Sequence, residues 1–339
     1  MSTQETNLFF LLFPACIPIK GDQSSIIMDL DRASYLEIPN LLFDILSNDL
    51  QKKEVKEIKR IYKNEYDDGI DKYFNFLADN EYGFFTKTPS PFRKPSTEFY
   101  SPYKIISSIL EIDKDSNYNM SEVFRQLDTL SCQLIQIRIY DSCNLEELAV
   151  HVAVLNESSV RTIEIYIPYN DDILEKDLLH FIHQFDRVHL IIYSSKINKK
   201  VKISRNSTQK IIYTSNKLTK QSKEIYALKS FTISHQMYYE SLHYNTGLFR
   251  KTCIDSKGNI KNYLSHQEIF GNVAQNTIEE VVTKEVFQEK YILHNDLIEK
   301  CKDCQFRHMC LSNSDIKFDN NKYYKVDTCG FDPYTNSWN

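Results

Sequence analysis

The chain has 339 residues, 42% hydrophobic and 26% charged, a balance that suits two or three folded domains and excludes a disordered protein. A net charge of −5 and a pI near 6.0 argue against a nucleic-acid partner bound through its phosphates, and no apolar run is long enough to span a membrane. The seven glycines, at 21, 69, 83, 247, 258, 271 and 330, are too scattered for a P-loop or a GxGxxG, so any nucleotide the biology needs would be bound by another polypeptide.

The start carries Glu5 but no Lys or Arg before residue 8, and the apolar run 8–13 stops at Pro14. This predicts no secretory signal and a cytoplasmic protein. Three strand-like runs follow: 8–20, interrupted by Pro14 and Pro18, then 25–30 and 33–38, with apolar residues near period two. Helical spacing then takes over. Asn40 is placed to cap LLFDILSN, the run 53–62 repeats apolar residues at Val55, Ile58, Ile61 and Tyr62, and after Gly69 the residues Ile70, Tyr73, Phe74 and Leu77 form one stripe. The unit closes at Gly83-Phe-Phe, and 87–96, with Pro89, Pro91 and Pro95, reads as a linker.

Beyond it, strand-like and helix-like runs alternate. Strands are predicted at 104–112, 133–140, 161–167 and 187–193, and helices at 121–130 (Ser121 as cap), 145–155 and 173–185. Two more short strands are predicted at 210–213 and 230–234. Repeated βα units predict a parallel sheet or partial barrel with right-handed crossovers. His180 and His183 share a helix face but have no carboxylate at metal spacing, so they read as solvated or packed residues rather than ligands. None of the nine histidines lies in a nucleophile or metalloprotease motif, and no catalytic residue is assigned.

Four of the eight cysteines fall in the tail as Cys301, Cys304, Cys310 and Cys329, spaced C-x2-C-x5-C-x18-C. Thiolates converging from one CxxC turn and two later positions suit Zn²⁺ or an iron-sulfur cluster, and the spacing alone does not choose between them. The competing readings are four unrelated cysteines and structural disulfides, which would need an exported chain. The second pair is not a CxxC, so this is not an ordinary two-knuckle zinc ribbon. His308, inside the ladder, reads as a solvated turn residue, with an alternative ligand or a group hydrogen-bonded to one as the other reading.

The phrases YLEIPNLLFDIL and YFNFLADNEYGFF, in that element order, resemble the PqqD-like precursor-recognition domain of peptide-modifying systems, a small winged-helix module of β3α3 type. The resemblance implies that a leader peptide adds a strand beside the third strand and packs on the third helix. The surface so implied is Tyr35, Glu37 and Ile38 with Tyr73, Phe74 and Leu77, whose alternative role is plain core.

The tail, from CIDSKGNIKNYLSHQEIFGNV at Cys253 through the cysteine ladder to CGFDPYTNSW, resembles the SPASM domain of radical-SAM peptide maturases. More narrowly, nearly the whole chain resembles the SPASM-domain peptide maturase of grasp-with-spasm systems, encoded with an ATP-grasp ligase. Cys253 and Gly258 match the opening of the family pattern. Tyr263 and Ser314 stand where it has cysteines of a first auxiliary cluster, whereas Cys301, Cys304, Cys310 and Cys329 match the second set in full. The resemblance thus implies one [4Fe-4S] cluster, with zinc as the alternative, and Cys253 as a buried thiol.

The chain departs from that family upstream. The loop 113–120 (DKDSNYNM) has no CxxxCxxC, the segment 139–144 (IYDSCN) has no Gly-Gly-Glu, and Cys132 and Cys143 cannot replace either. No S-adenosylmethionine and no radical chemistry are expected. The expected architecture is α/β: a recognition domain over 1–90, a degenerate partial (βα) radical-SAM-like barrel over 91–250 and a SPASM-like metal-binding domain over 251–339. The expected role is maturation of a ribosomally synthesised, post-translationally modified peptide, binding its leader and presenting it to an ATP-grasp ligase. The alternatives are an Fe-S redox enzyme acting on peptides and a zinc-stapled structural protein.

Overall fold

The computed structural model describes residues 7–47, 52–90, 96–204, 207–220 and 231–338. Residues 1–6 of the chain start, 91–95 of the Pro-rich stretch and Ser230 lie outside the described residues.

Pro14 divides the first apolar run into two strands, β1 (Phe9–Leu12) and β2 (Cys16–Ile19), because its turn is closed by Cys16 N–H donating to Phe13 O (2.9 Å). β2 continues into β3 (Ser25–Asp29) and β4 (Ser34–Ile38) as an antiparallel sheet in the order β2-β3-β4. The helices α1 (Asn40–Leu46), α2 (Val55–Ile61) and α3 (Asp67–Asp79) follow. β1 pairs instead with β5 (Gly83–Thr86), a strand where the sequence reading had only the end of the unit. Asn40 does not cap α1: Pro39 holds that position, while the Asn40 side chain accepts from Ser25 Oγ (2.5 Å) and donates to Asp22 O (2.7 Å).

Strand alternation gives the three-stranded sheet two buried faces. Ile27 and Ile38 join Leu42, Ile45, Leu46, Ile58, Ile70, Phe74 and Leu77 in a core under the helices. Ile26 and Met28, on the other face, pack with Ile19 and Leu30 against Phe306, Met309 and Phe331 near the chain end.

The middle of the chain alternates β6 (Ser107–Ile112), α4 (Met120–Thr129), β7 (Leu134–Ile139), α5 (Leu145–Ala153), β8 (Thr162–Pro168), α6 (Glu175–Ile182) and β9 (Val188–Tyr193). β10 (Lys199–Val201) and β11 (Ile211–Tyr213) extend this sheet, and after α7 (His235–Ser241) the strand β12 (Lys251–Ile254) returns to pair in parallel with the far side of β6. β13 (Asn259–Lys261) and β14 (Gly271–Asn272) complete an open sheet of order β10-β11-β9-β8-β7-β6-β12-β13-β14, parallel from β11 to β12. The fold is therefore mixed α/β with a large, mostly parallel sheet. Ile135, Ile137, Ile163, Ile165, Leu190 and Ile192 bury one face of it beneath α4, α5 and α6.

Two local expectations are corrected. Asn119, not Ser121, caps α4, its Oδ1 accepting from Glu122 N–H (3.1 Å), and Ser121 Oγ instead meets His151 Nδ1 (2.9 Å). Residues 231–234 form no strand; Thr232 N–H donates to Met309 O (3.1 Å), tying the segment to the cysteine ladder. The tail adds α8 (Ile278–Val282), α9 (Glu285–Gln288) and the hairpins β15 (Ile316–Asp319) with β16 (Lys322–Lys325) and β17 (Phe331–Asp332) with β18 (Ser337–Trp338). Among the described residues no helix is long and apolar enough to cross a membrane.

Candidate metal centre

Cys301, Cys304, Cys310 and Cys329 line one cavity of about 50 Å³, walled by Phe231, Phe306, Phe331, Pro333 and Trp338. The first two come from a tight turn in which Cys304 N–H donates to Cys301 O (3.0 Å). Cys310 is fixed through its carbonyl, which accepts from Thr246 Oγ1 (2.8 Å). Gly247 lies so close to the segment after Cys310 that a Cβ there would come within 2.0 Å of Ser312 O. The β15–β16 hairpin then reverses the chain and returns Cys329 to the cavity.

Two of the sulfurs are held in the same way. In Cys304-Gln305-Phe306 the Phe306 N–H donates to Cys304 Sγ (3.4 Å), and in Cys329-Gly330-Phe331 the Phe331 N–H donates to Cys329 Sγ (3.4 Å). The repeat of Cys-x-Phe at 304–306 and 329–331 is the sequence signal for this pair of turns. Amide donors to cysteine sulfur are a feature of metal-thiolate sites. All four cysteines are free thiols. Burial pushes the Cys301 thiol up to about 11, Cys304 higher still and Cys310 upward, against the nearby charge of Lys325 at Cys301 and Cys310. Among the described residues no group of three or more His, Cys, Asp or Glu is gathered so as to hold a single ion. The four cysteines share one cavity. Four soft donors in an apolar hollow fit a thiolate-bound metal group.

His308 is not the solvated turn residue expected. It is buried, with Nδ1 at 3.0 Å from Ser241 Oγ and Nε2 at 3.8 Å from Asp296 Oδ1. Burial, reinforced by Arg307, lowers its pKa to about 4. Burial alone would raise the Asp296 carboxyl, but the His294 hydrogen bond (3.2 Å) and the charges of His308 and Arg307 hold it well below the usual range. Arg307 donates to Asp296 Oδ1 (2.6 Å), to Cys304 O (3.0 Å) and to Lys20 O, spanning from the ladder to the N-terminal sheet.

Where the resemblance would place a first auxiliary cluster, the positions are filled by packed groups. Cys253 is buried with Tyr263, Leu248 and Leu264, its sulfur 3.8 Å from Asn262 O, and Ser314 Oγ accepts from Asp327 N–H (2.9 Å). In the loop after β6, the buried Asp113 accepts from Asp115 N–H (2.8 Å) and pairs with Lys220. Cys132 and Cys143 flank the two ends of β7. Cys143 lines a separate cavity of about 560 Å³ with Asp113, Asn119, Asn144 and His151 at the carboxyl ends of β6 and β7. Of the solvated and packed readings for His180 and His183, the structure gives the first: both are exposed.

The six residues assigned to peptide binding are divided. Ile38, Phe74 and Leu77 belong to the core under the helices, so their side chains are not a docking surface. Tyr35 faces the opposite way and sets its ring edge-on to Phe306, with centroids 5.5 Å apart. Glu37 is exposed, and Tyr73 is 41% exposed beside Phe76, 46% exposed, which the sequence reading did not single out. The outer edge of β4 has no strand partner among the described residues, whereas Pro18 deprives β2 of one backbone donor.

No family model matches the sequence, and no curated protein matches it. Among solved structures, the chain is similar to the crystal structure of Streptococcus suis SuiB, at 11% identity and a TM-score of 0.30, over 88% of this chain and 94% of that one.

Proposed function

We propose that this chain is a maturation factor for a ribosomally made peptide, built as a recognition unit, a degenerate βα partial barrel and a metal-stapled tail. It captures an extended segment of the precursor at the outer edge of β4 and acts with a separate ATP-grasp ligase, without radical-SAM chemistry of its own. The observation that carries this reading is the state of the β2-β3-β4 sheet. Both of its faces are buried, β2 contains a proline, and the outer edge of β4, beside the exposed Glu37, has no strand partner among the described residues. Backbone pairing along such an edge supplies affinity, and exposed side chains such as Tyr73 and Phe76 on α3 supply selectivity.

The tail's role follows from its donors. Cys301, Cys304, Cys310 and Cys329 would hold a [4Fe-4S] cluster. Zinc, which takes the same four-thiolate donor set with each sulfur about 2.3 Å away, is the alternative. When bound, such a group supplies a cross-link between three separate turns and a capacity for electron transfer. The chain's own part is to bind and shield: Phe306 and Phe331 donate to sulfur and, with Trp338, exclude water.

The test is binding of a labelled precursor peptide encoded beside this gene, followed by hydrogen exchange. Protection of 34–38 on binding is expected. Absence of binding, with and without the ligase, overturns the proposal.

A further inference from the structure

The walls of the cysteine cavity are also the floor on which the N-terminal sheet rests. Phe306 donates its backbone N–H to Cys304 Sγ, and its ring packs on Tyr35 of β4, on Phe231 (5.3 Å) and on Phe331 (4.9 Å). Phe331 repeats the arrangement, with its N–H on Cys329 Sγ and its ring against Trp338 (5.2 Å). Both rings share one buried cluster with Ile19, Ile26, Met28 and Leu30. Polar ties surround this contact: Asp22 N–H donates to Asp303 O (2.9 Å), and His235 Nε2 meets Asp31 Oδ1 (2.7 Å). A Cβ on Gly21 would come within 2.7 Å of Gln305 Oε1, so the two segments touch without slack.

We infer that filling the four-cysteine cavity clamps the N-terminal sheet onto the tail through Phe306 and Phe331, so that only the loaded chain presents the β4 edge in a fixed position. The inference rests on the metal-centre reading above. Its physical basis is that each of these two residues has its backbone on a sulfur and its ring in the docking core. A thiolate bound to metal accepts an N–H more strongly than a neutral thiol and cannot swing away, so each Cys-x-Phe turn, and the ring it carries, is fixed by loading. With the cavity empty, nothing joins the four sulfurs, both turns are free to re-pack, and the sheet loses the rigid half of its interface.

Hydrogen exchange on the full chain, purified anaerobically and compared before and after metal removal with ferricyanide and EDTA, tests this without any peptide or ligase. Amides of 25–29 in β3 are expected to exchange at least about tenfold faster after removal, while 134–139 in β7 and 162–168 in β8 stay unchanged. Phe306→Leu, which keeps the amide donor, is expected to retain the metal and still raise exchange in β3. A loaded chain whose β3 exchange is unaffected by metal removal overturns the inference alone. An equal rise in β7 and β8 overturns it too, since the whole fold rather than the docking would then depend on the metal. A purified chain without stoichiometric metal overturns the metal-centre reading and the inference with it.

Discussion

At the scale of single residues, a liganding cysteine and a buried one respond differently to the same change. Cys304→Ser is expected to lose stoichiometric metal and to lower the melting temperature by more than about 5 °C. Cys253→Ser, at a site 1% exposed and packed with Tyr263, is expected to keep the metal while costing about 1–3 kcal/mol for a buried hydroxyl. Metal analysis beside a thermal melt separates the two. With Cys301, Cys304 and Cys310 all raised by burial, the metal-free thiols are protonated at neutral pH. Loading must then release at least those three protons, and the apparent metal affinity should fall by about three decades per pH unit on acidification, as a competition titration would read.

Glu240 obeys the opposite sign. Burial, opposed by Lys251 and Arg250, raises its pKa to about 7. The folded state therefore favours the protonated acid, and this contribution is full below the unfolded value near 4.5 and is lost as pH rises through 7. Glu240→Gln is expected to stabilise the chain by up to about 3 kcal/mol at pH 8 and to flatten its pH profile between 4.5 and 7 in denaturant melts. At this scale the cysteine set was legible because a CxxC pair and two later cysteines at ligand spacing are written directly in the residue order. His308 was not, because its burial against Ser241 and Asp296 comes from segments distant in sequence.

At the scale of elements, periodicity located strands and helices whose burial pattern is one-sided, such as β8 and α3. It missed β5, β10 and β12, which have four residues or fewer and are strands only because a partner strand supplies their hydrogen bonds. Capping was misread at Asn40 and Ser121 for a related reason: each side chain has a tertiary partner that outcompetes its own helix end. The β1–β5 pairing depends on Gly83, where a Cβ would meet Leu11 O at 2.4 Å and Phe10 Cζ at 2.7 Å. Gly83→Ala is expected to destabilise the N-terminal unit by about 1–3 kcal/mol, seen as faster exchange across 9–12 and 83–86 with the large sheet unaffected.

At the scale of the whole molecule, the N-terminal unit is not self-sufficient. Excised as residues 1–90 it would expose Ile19, Ile26, Met28 and Leu30, which are buried against Phe306, Met309 and Phe331 in the full chain. Such a fragment is expected to self-associate in analytical ultracentrifugation, and a monomeric, fully protected fragment would contradict that account. The sequence by itself determined the βα alternation, the four-cysteine set and the absence of a CxxxCxxC motif, because each is written in local spacing and residue type. Only the tertiary structure decided that β12 closes onto β6, that Tyr35 faces Phe306 rather than a partner, and that the cysteine cavity and the N-terminal sheet share their aromatic walls. Those outcomes turn on which of two buried faces meets which distant segment, and period-two alternation marks a strand's faces without naming what covers them.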